Sequence, residues 1–445
     1  MKYKPSMFNR IIRRNGEMIL YNSRIGSPSI TVVPINLQDI VLEWLKDTSD
    51  SKDDLAYKKL VDWGFLIPND WNEKAIRDFL RLNYITQPKL ELVIHITRDC
   101  NFRCTYCYMN FESVVLNEST QEGIVNFIRR NIGSYKSVLI NWFGGEALLY
   151  PEIIENLSTK IIAICKKAKK PYSAVITTNG YLLSLDVAKM LIRCHVNQFM
   201  ITIDGIGPLH DSQRMLADGS PTFDKIIDNL LSIKKTIRNG VLSIVIRLNI
   251  TKKHLPSIEE CYDFFDEHFG DDSRFSLFIR AVGNYGGERV VSMIPSFITD
   301  TDIANVFYNL SEKHGSINFS YNFKDIEYAG GACSARKQNK FTIGCDGNIY
   351  KCDEEVMGDP IGHIDRNGNM EIDVNKFAKY MVVSNRSKRC DECFFSNNCL
   401  MSGCPKSYAN DILTPCEERF QELDSLIWLE SKTVGARKLL ATKEV

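Results

Sequence analysis

Between residues 91 and 285, six short apolar runs alternate with amphipathic ones. The runs ELVIHIT, SVLINWF, SAVITTN, QFMITID, LSIVIRLNI and RFSLFIRAV read as strands. Between them QEGIVNFIRRN, PEIIENLSTKIIAICKKA, LDVAKMLIRC, FDKIIDNLLSIKKTI and IEECYDFFDEHF carry apolar residues at helical spacing. Strands that alternate with helices predict an α/β fold, a parallel barrel or an open sheet. In a barrel the chemistry gathers at the C-terminal ends of the strands. The informative residues sit there: Cys100 after the first strand, Gly144-Gly145-Glu146 after the second, Thr178-Asn179-Gly180 after the third and Asp204-Gly205 after the fourth.

The flanks differ in texture. In residues 1–85 the alternating stretch EMILYNSRIGSPSITVV predicts two strands around a Gly/Ser/Pro turn. LQDIVLEWLKD and DLAYKKLVDWGFL then predict two helices, the second ending near Gly64. This points to a small winged-helix-like module, with a simple cap on the main domain as the plainer alternative. The expected divisions are 1–85, a core over 86–310 and a cysteine-dense region over 311–445 that ends in a helix from about Glu417. No internal repeat or low-complexity tract is apparent.

The chain has 445 residues, with 55 basic and 55 acidic side chains. A balanced charge gives no support for broad nucleic-acid binding. No stretch reaches the roughly 18 apolar residues of a membrane span. The opening MKYKPSMFNRIIRRNGEM lacks the apolar core of a secretory signal, so a cytoplasmic protein is the expectation. A reducing compartment keeps thiols free, so the 14 cysteines are not expected to pair as disulfides. Cys165, Cys194 and Cys261 lie alone in apolar helical stretches and read as buried hydrophobes. The other eleven form two groups, and short repeated spacings of this kind read as metal or cluster ligands.

The first group is Cys100, Cys104 and Cys107, spaced C-x3-C-x2-C. A structural zinc site takes four protein ligands. A cubane iron–sulfur cluster has four irons, so three thiolates leave one iron open.

This spacing, the aromatic Tyr106 before the last cysteine, and GGE after the next strand resemble the radical SAM superfamily over residues 91–285. The resemblance implies a partial (β/α)6 barrel. Cys100, Cys104 and Cys107 would hold a 4Fe–4S cluster whose open iron is chelated by S-adenosylmethionine, which one electron cleaves to a 5′-deoxyadenosyl radical. It also implies that Gly144 and Gly145 let the backbone approach a ligand, and that Glu146 accepts from the cofactor ammonium. Asn179, Asp204 and Asn249 would line the cofactor site, and Arg214 would pair with the cofactor carboxylate.

The second group runs Cys333, Cys345, Cys352, then Cys390, Cys393, Cys399, Cys404 and Cys416. Two zinc ribbons are the simplest reading. With Cys345 set aside, C-x13-G-x4-C followed by C-x2-C-x5-C resembles the SPASM domain of radical SAM peptide maturases, with one extra residue before Cys404. The resemblance implies two auxiliary 4Fe–4S clusters, three clusters in all. One would take Cys333, Cys352 and Cys404, the other Cys390, Cys393, Cys399 and Cys416. Cys345 either completes the first or stands beside it as a thiol. Asp353, directly after Cys352, is a candidate catalytic base by the same resemblance and otherwise a solvated acid.

The domain combination resembles ribosomal-peptide maturases whose N-terminal recognition element takes up a leader peptide as an added strand. The phrases MILYNSRIGSP, TIGCDGNIYKCDEEV and CDECFFSNNC resemble enzymes that install thioether cross-links on cysteine-containing precursors. The implied partners are a ribosomal precursor peptide and a reductant protein such as flavodoxin or ferredoxin, with neither nucleic acid nor membrane. The implied sequence is leader docking, SAM cleavage, hydrogen abstraction and bond formation, with an auxiliary cluster taking the surplus electron. An anaerobic sulfatase maturase and a carbon–carbon cross-linking maturase are the alternatives. A non-catalytic electron carrier or zinc scaffold is the reading from another class, and GGE on a barrel speaks against it.

Overall fold

The computed structural model describes residues 2–23, 29–47, 49–50, 52–238, 240–283, 288–314, 333–381, 391–396, 406, 423–429, 431–432 and 437–438. The six expected strands all form: β1 (Lys89–His95), β2 (Ser137–Phe143), β3 (Tyr172–Thr178), β4 (Val196–Thr202), β5 (Ser243–Ile250) and β6 (Phe275–Ala281). They lie side by side in chain order, and each neighbouring pair is parallel. The five expected helices, Glu118–Asn131, Pro151–Lys167, Leu185–Arg193, Phe223–Thr236 and Ile258–Phe269, fill the crossovers.

Strand β2 buries every second residue. Val138, Ile140 and Trp142 join Ile154, Leu157 and Ile161 of the following helix in one continuous core. Burying one such side chain fully contributes about 1.5–3 kcal/mol. The alternate positions of β2, Leu139, Asn141 and Phe143, are only half-buried. A parallel sheet covered on both faces is buried at successive positions, so this alternation marks an inner face left partly open. Arg247 and Asn249 of β5 lie two apart on one face of their strand, and Arg280 of β6 pairs with Asn249 in register.

The sheet continues past β1. β7 (Lys340–Ile343) pairs parallel with β1, and β8 (Asn348–Tyr350), β9 (Gly362–Ile364) and β10 (Met370–Ile372) follow antiparallel, making ten strands. The cysteine-dense region is thus joined edge to edge with the barrel.

At the N-terminus Glu17–Asn22 and Ser29–Val33 pair antiparallel, as the alternation predicts. Asn9–Arg14 joins them through a two-residue turn, Asn15-Gly16, with φ of 51° and 77°. Asn-Gly suits such a turn because both central residues need positive φ. Helices Gln38–Trp44 and Leu55–Asp62 follow, the second capped by the Asp54 side chain, which accepts from the Tyr57 N–H. A third helix, Glu73–Ile85, is not separated by the sequence pattern, for a physical reason. It buries Arg77 and Arg81 and exposes Ile76, Phe79 and Leu82, so apolarity does not mark its packed face. Arg77 instead donates to Asp78 and Ser396. Arg10 clasps Asp424 through two hydrogen bonds of 2.9 and 2.6 Å, and Arg437–Lys438 adds a strand beside Ser29–Val33.

Candidate active site at the barrel mouth

The loop after β1 brings its three cysteines to one cavity at the C-terminal ends of the strands. Cys100, Cys104 and Cys107 line it together with Tyr106, Gly144, Gly145, Asn179, Arg214 and Asn249. The loop is held from outside by the 213–215 segment: Arg103 N–H donates to Met215 O at 2.9 Å and Thr105 N–H to Gln213 O at 3.0 Å. Inside, the Arg103 guanidinium donates to Cys100 O at 2.5 Å. Burial pushes the Cys100 and Cys107 thiols up and Cys104 to about 11. Thiols this buried ionise only when a cation replaces the proton, and a thiolate is the ligand form. Among the described residues no three His, Cys, Asp or Glu side chains close on a point for a single metal ion.

Gly144 and Gly145 line the cavity, and the protein's own packing also requires them to be glycine. Gly144 has φ of 138°, and a Cβ there would lie 2.5 Å from Thr97 O; one on Gly145 would lie 2.1 Å from Asp99 O. The glycines let the loop after β2 press against the loop after β1, where Gly145 N–H donates to Thr97 O and Glu146 N–H to Asp99 O. Glu146 is 1% exposed. Its carboxylate accepts from Leu148 N–H (3.0 Å), the Thr178 hydroxyl (2.7 Å) and Asn179 N–H (2.7 Å). A carboxylate has about four lone-pair sites, so three internal donors leave room for one more. Asn179 in turn donates to Asn101 at 2.8 Å, beside Cys100.

Four expected site residues meet in one network. The Tyr106 hydroxyl donates to Asp204 and accepts from Arg214 Nη1 at 2.6 Å and Asn249 Nδ2 at 3.0 Å. Asp204 also accepts from Asn249 N–H at 2.9 Å and lies 3.6 Å from Arg214. Burial pushes the Tyr106 phenol upward. Arg214 is 7% exposed, and its Nε, buried, has no hydrogen-bond partner among the described residues.

The second cysteine group looks different. Cys345 lies in the turn between β7 and β8, buried, with its thiol donating to His95 O at 3.3 Å. The hairpin register pairs Thr342 with Tyr350 and Ile343 with Ile349. Continued, it sets Cys352 opposite Lys340, five residues along the strand from Cys345, or about 16 Å. Cys333 precedes the same open end. Extended in this way, the hairpin sets Cys345 and Cys352 apart along the strands. Cys393 is half-buried beside Phe394, whose ring lies under Arg10 at 5.1 Å. Cys390, Cys399, Cys404 and Cys416 lie outside the described residues.

Asp353 also departs from expectation. It pairs with the buried Lys340 ammonium and accepts from the Thr342 hydroxyl at 2.8 Å. Burial alone would push its carboxyl up; Lys340 and Thr342 outweigh burial and hold it below the ordinary range. An acid so held is a poor proton acceptor. The next residue, Glu354, which the sequence reading passes over, lines the same cavity as the three cysteines. Nothing in the string CDEEV distinguishes the two acids; the strand register does. Asn101 and Gln213, which position the loop, carry no sequence signal either.

A model of the Radical SAM superfamily matches residues 94–261. The chain is 24% identical over 353 residues to a cysteine-type anaerobic sulfatase-maturating enzyme of Clostridium novyi, 71% of this chain and 87% of that protein. It is 27% identical over 188 residues to an Fe-coproporphyrin III synthase of Methanosarcina barkeri, 42% of this chain and 43% of that protein, so this match spans under half of the relative. The crystal structure of Streptococcus suis SuiB bound to the precursor peptide SuiA superimposes with a TM-score of 0.53 at 17% identity, over 92% of this chain and 96% of SuiB. A radical SAM domain implies S-adenosylmethionine and a 4Fe–4S cluster. The residues fit both: three soft sulfur donors suit iron, and the unpaired Nε of Arg214 suits a carboxylate. The chain is an enzyme whose residues 94–261 match the Radical SAM superfamily.

Proposed function

We propose that this enzyme is a peptide maturase that oxidatively cross-links a ribosomally made precursor, joining a cysteine sulfur to carbon. The observation that carries the reading is the shared cavity, lined by the three loop cysteines and by Glu354 from the cysteine-dense region. It opens on the half-exposed inner face of the sheet, where an extended chain has access. Cys100, Cys104 and Cys107 hold the cluster, and Arg214 pairs with the cofactor carboxylate. When bound, cluster and cofactor together supply a carbon radical able to abstract hydrogen. The protein's own part is to hold the substrate against that point and to exclude water, with Tyr106, Asp204 and Asn249 fixing Arg214. Cys333, Cys352 and Cys404 hold one auxiliary cluster and Cys390, Cys393, Cys399 and Cys416 another. The cross-link is a net two-electron oxidation, so an electron acceptor close to the substrate is required. The N-terminal module, residues 1–85, takes up the leader, and a flavodoxin or ferredoxin supplies the first electron.

The test is anaerobic reconstitution followed by incubation with S-adenosylmethionine, a reductant and a cysteine-containing precursor peptide, taken from beside this chain's gene where one is encoded there. The expected products are 5′-deoxyadenosine and a peptide that has lost two hydrogens and kept its cysteine sulfur. A peptide that loses sulfur and gains an aldehyde would instead establish formylglycine formation, the activity that the Clostridium novyi relative's name suggests. The ion pair that occupies Asp353 weighs against that second reading.

A further inference from the structure

The run Asp353-Glu354-Glu355 divides its three carboxylates among three surroundings. Asp353 is paired with Lys340. Glu355 accepts from the Tyr380 hydroxyl. The Glu354 carboxylate accepts no hydrogen bond from any described residue, yet it lines the cavity of Cys100, Cys104 and Cys107, where among the described lining residues it is the one acid. Its position is fixed on both sides. Cys352 precedes it at the open end of the hairpin, and Val356 behind it is 2% exposed and packed with Met109 and Tyr350. Glu354 is half-buried, and the charges of Arg280, Lys406 and Arg247 act on its carboxylate without a hydrogen bond, so its acceptor sites are open to a ligand's donor.

Three amide and guanidinium donors that line the cavity are directed at other residues, not at Glu354. Asn249 is spent on Tyr106, Arg247 Nε donates to Asn249 Oδ1 at 2.7 Å, and the Asn179 amide donates to Asn101. The cofactor-side groups, Glu146 and Arg214, come from the loops after β2 and β4; Glu354 comes from the cysteine-dense hairpin instead. We propose that Glu354 is a substrate-positioning residue: its carboxylate accepts a hydrogen bond from an N–H of the substrate peptide and fixes the reacting residue over the cysteine loop. This rests on the peptide-maturase reading. It assigns the role to Glu354 that adjacency to Cys352 had suggested for Asp353, and it makes that role hydrogen-bond acceptance.

The experiment compares Glu354→Gln, Glu354→Asp and Glu355→Gln in the full-length, reconstituted enzyme with the same precursor peptide. Glu354→Gln is expected to raise KM for the peptide at least tenfold and to raise the ratio of 5′-deoxyadenosine to cross-linked product, because a poorly held substrate lets radical formation run without product. Glu354→Asp keeps the acceptor but is shorter by one methylene and falls between; it carries the test should the Gln variant lose iron. Glu355→Gln keeps the wild-type KM. An unchanged peptide KM and product ratio in both Glu354 variants, or a loss that falls on the KM for S-adenosylmethionine, overturns the proposal. If the wild-type enzyme itself makes no peptide product, the peptide-maturase reading fails first, and the proposal with it.

Discussion

The two cysteine-bearing regions hold their thiols by different rules. In the loop after β1, eight residues of irregular chain bring Cys100, Cys104 and Cys107 to one cavity, and the loop's backbone is fastened to the 213–215 segment. In the hairpin of β7 and β8, spacing along the chain is not proximity: Cys345 sits at the turn and Cys352 beyond the open end. A close cysteine spacing in a loop is local information and survives without knowledge of the fold. A wide spacing across a hairpin acquires meaning only once the register is known, since each residue along a strand moves a side chain by about 3.3 Å.

The strongest way to sharpen this contrast is to remove the loop thiols together. Cys100, Cys104 and Cys107 changed to Ala should abolish 5′-deoxyadenosine formation and lower iron by about four per chain, from about twelve to about eight. Iron and acid-labile sulfide after anaerobic reconstitution measure it. Retention of all the iron would mean that the loop holds no cluster, and the barrel-mouth site would lose its chemistry.

The hairpin's counterpart is Lys340, 2% exposed, which donates to Thr342, to Lys351 O and to Asp353. Lys340→Met strands Asp353 without its cation. Removing one partner of a fully buried pair costs about 3–5 kcal/mol. The Asp353 side chain is a third exposed, so about 2 kcal/mol is the expected loss at pH 7. The pH dependence has a definite sign. The Asp353 carboxyl is held below its ordinary value in the fold, so its contribution is complete above about pH 4 and is lost as pH falls through the depressed value. In the Met variant that depression is gone. Denaturant midpoints of the two proteins should therefore differ most near neutrality and converge in acid; a gap that is constant with pH would mean that the ion pair is not the source.

How far the chain could be read without coordinates follows the same division. The six strands and five helices of the barrel are legible because their periodicities, two and 3.6, are strong and each helix packs on its neighbouring strands. The cysteine loop and the residues Tyr106, Asp204, Arg214 and Asn249 are legible by motif, although their bonding to one another is not. Helix Glu73–Ile85 is illegible by pattern because its buried face carries arginines. The Asn15-Gly16 turn was there to be read, a hairpin signal between two apolar runs. The roles of Asp353 and Cys345 depend on partners more than 200 residues distant or on register, and neither is encoded locally.

The smallest effect tests the hairpin rule most directly. Cys345→Ala removes a buried thiol that donates to His95 O. The loss is one weak hydrogen bond and a small volume, about 1 kcal/mol, visible as a slightly lower unfolding midpoint. Iron content should stay at the wild-type value, whereas Cys352→Ala should lower it, because Cys352 and not Cys345 lies toward the open end of the hairpin. If Cys345→Ala also loses iron, the hairpin must rearrange when it takes up a cluster, and the register seen here would describe only the protein without its cluster. If the iron is unchanged, the auxiliary site of Cys333, Cys352 and Cys404 takes its fourth ligand from elsewhere, and the search narrows to a sulfur on the substrate itself.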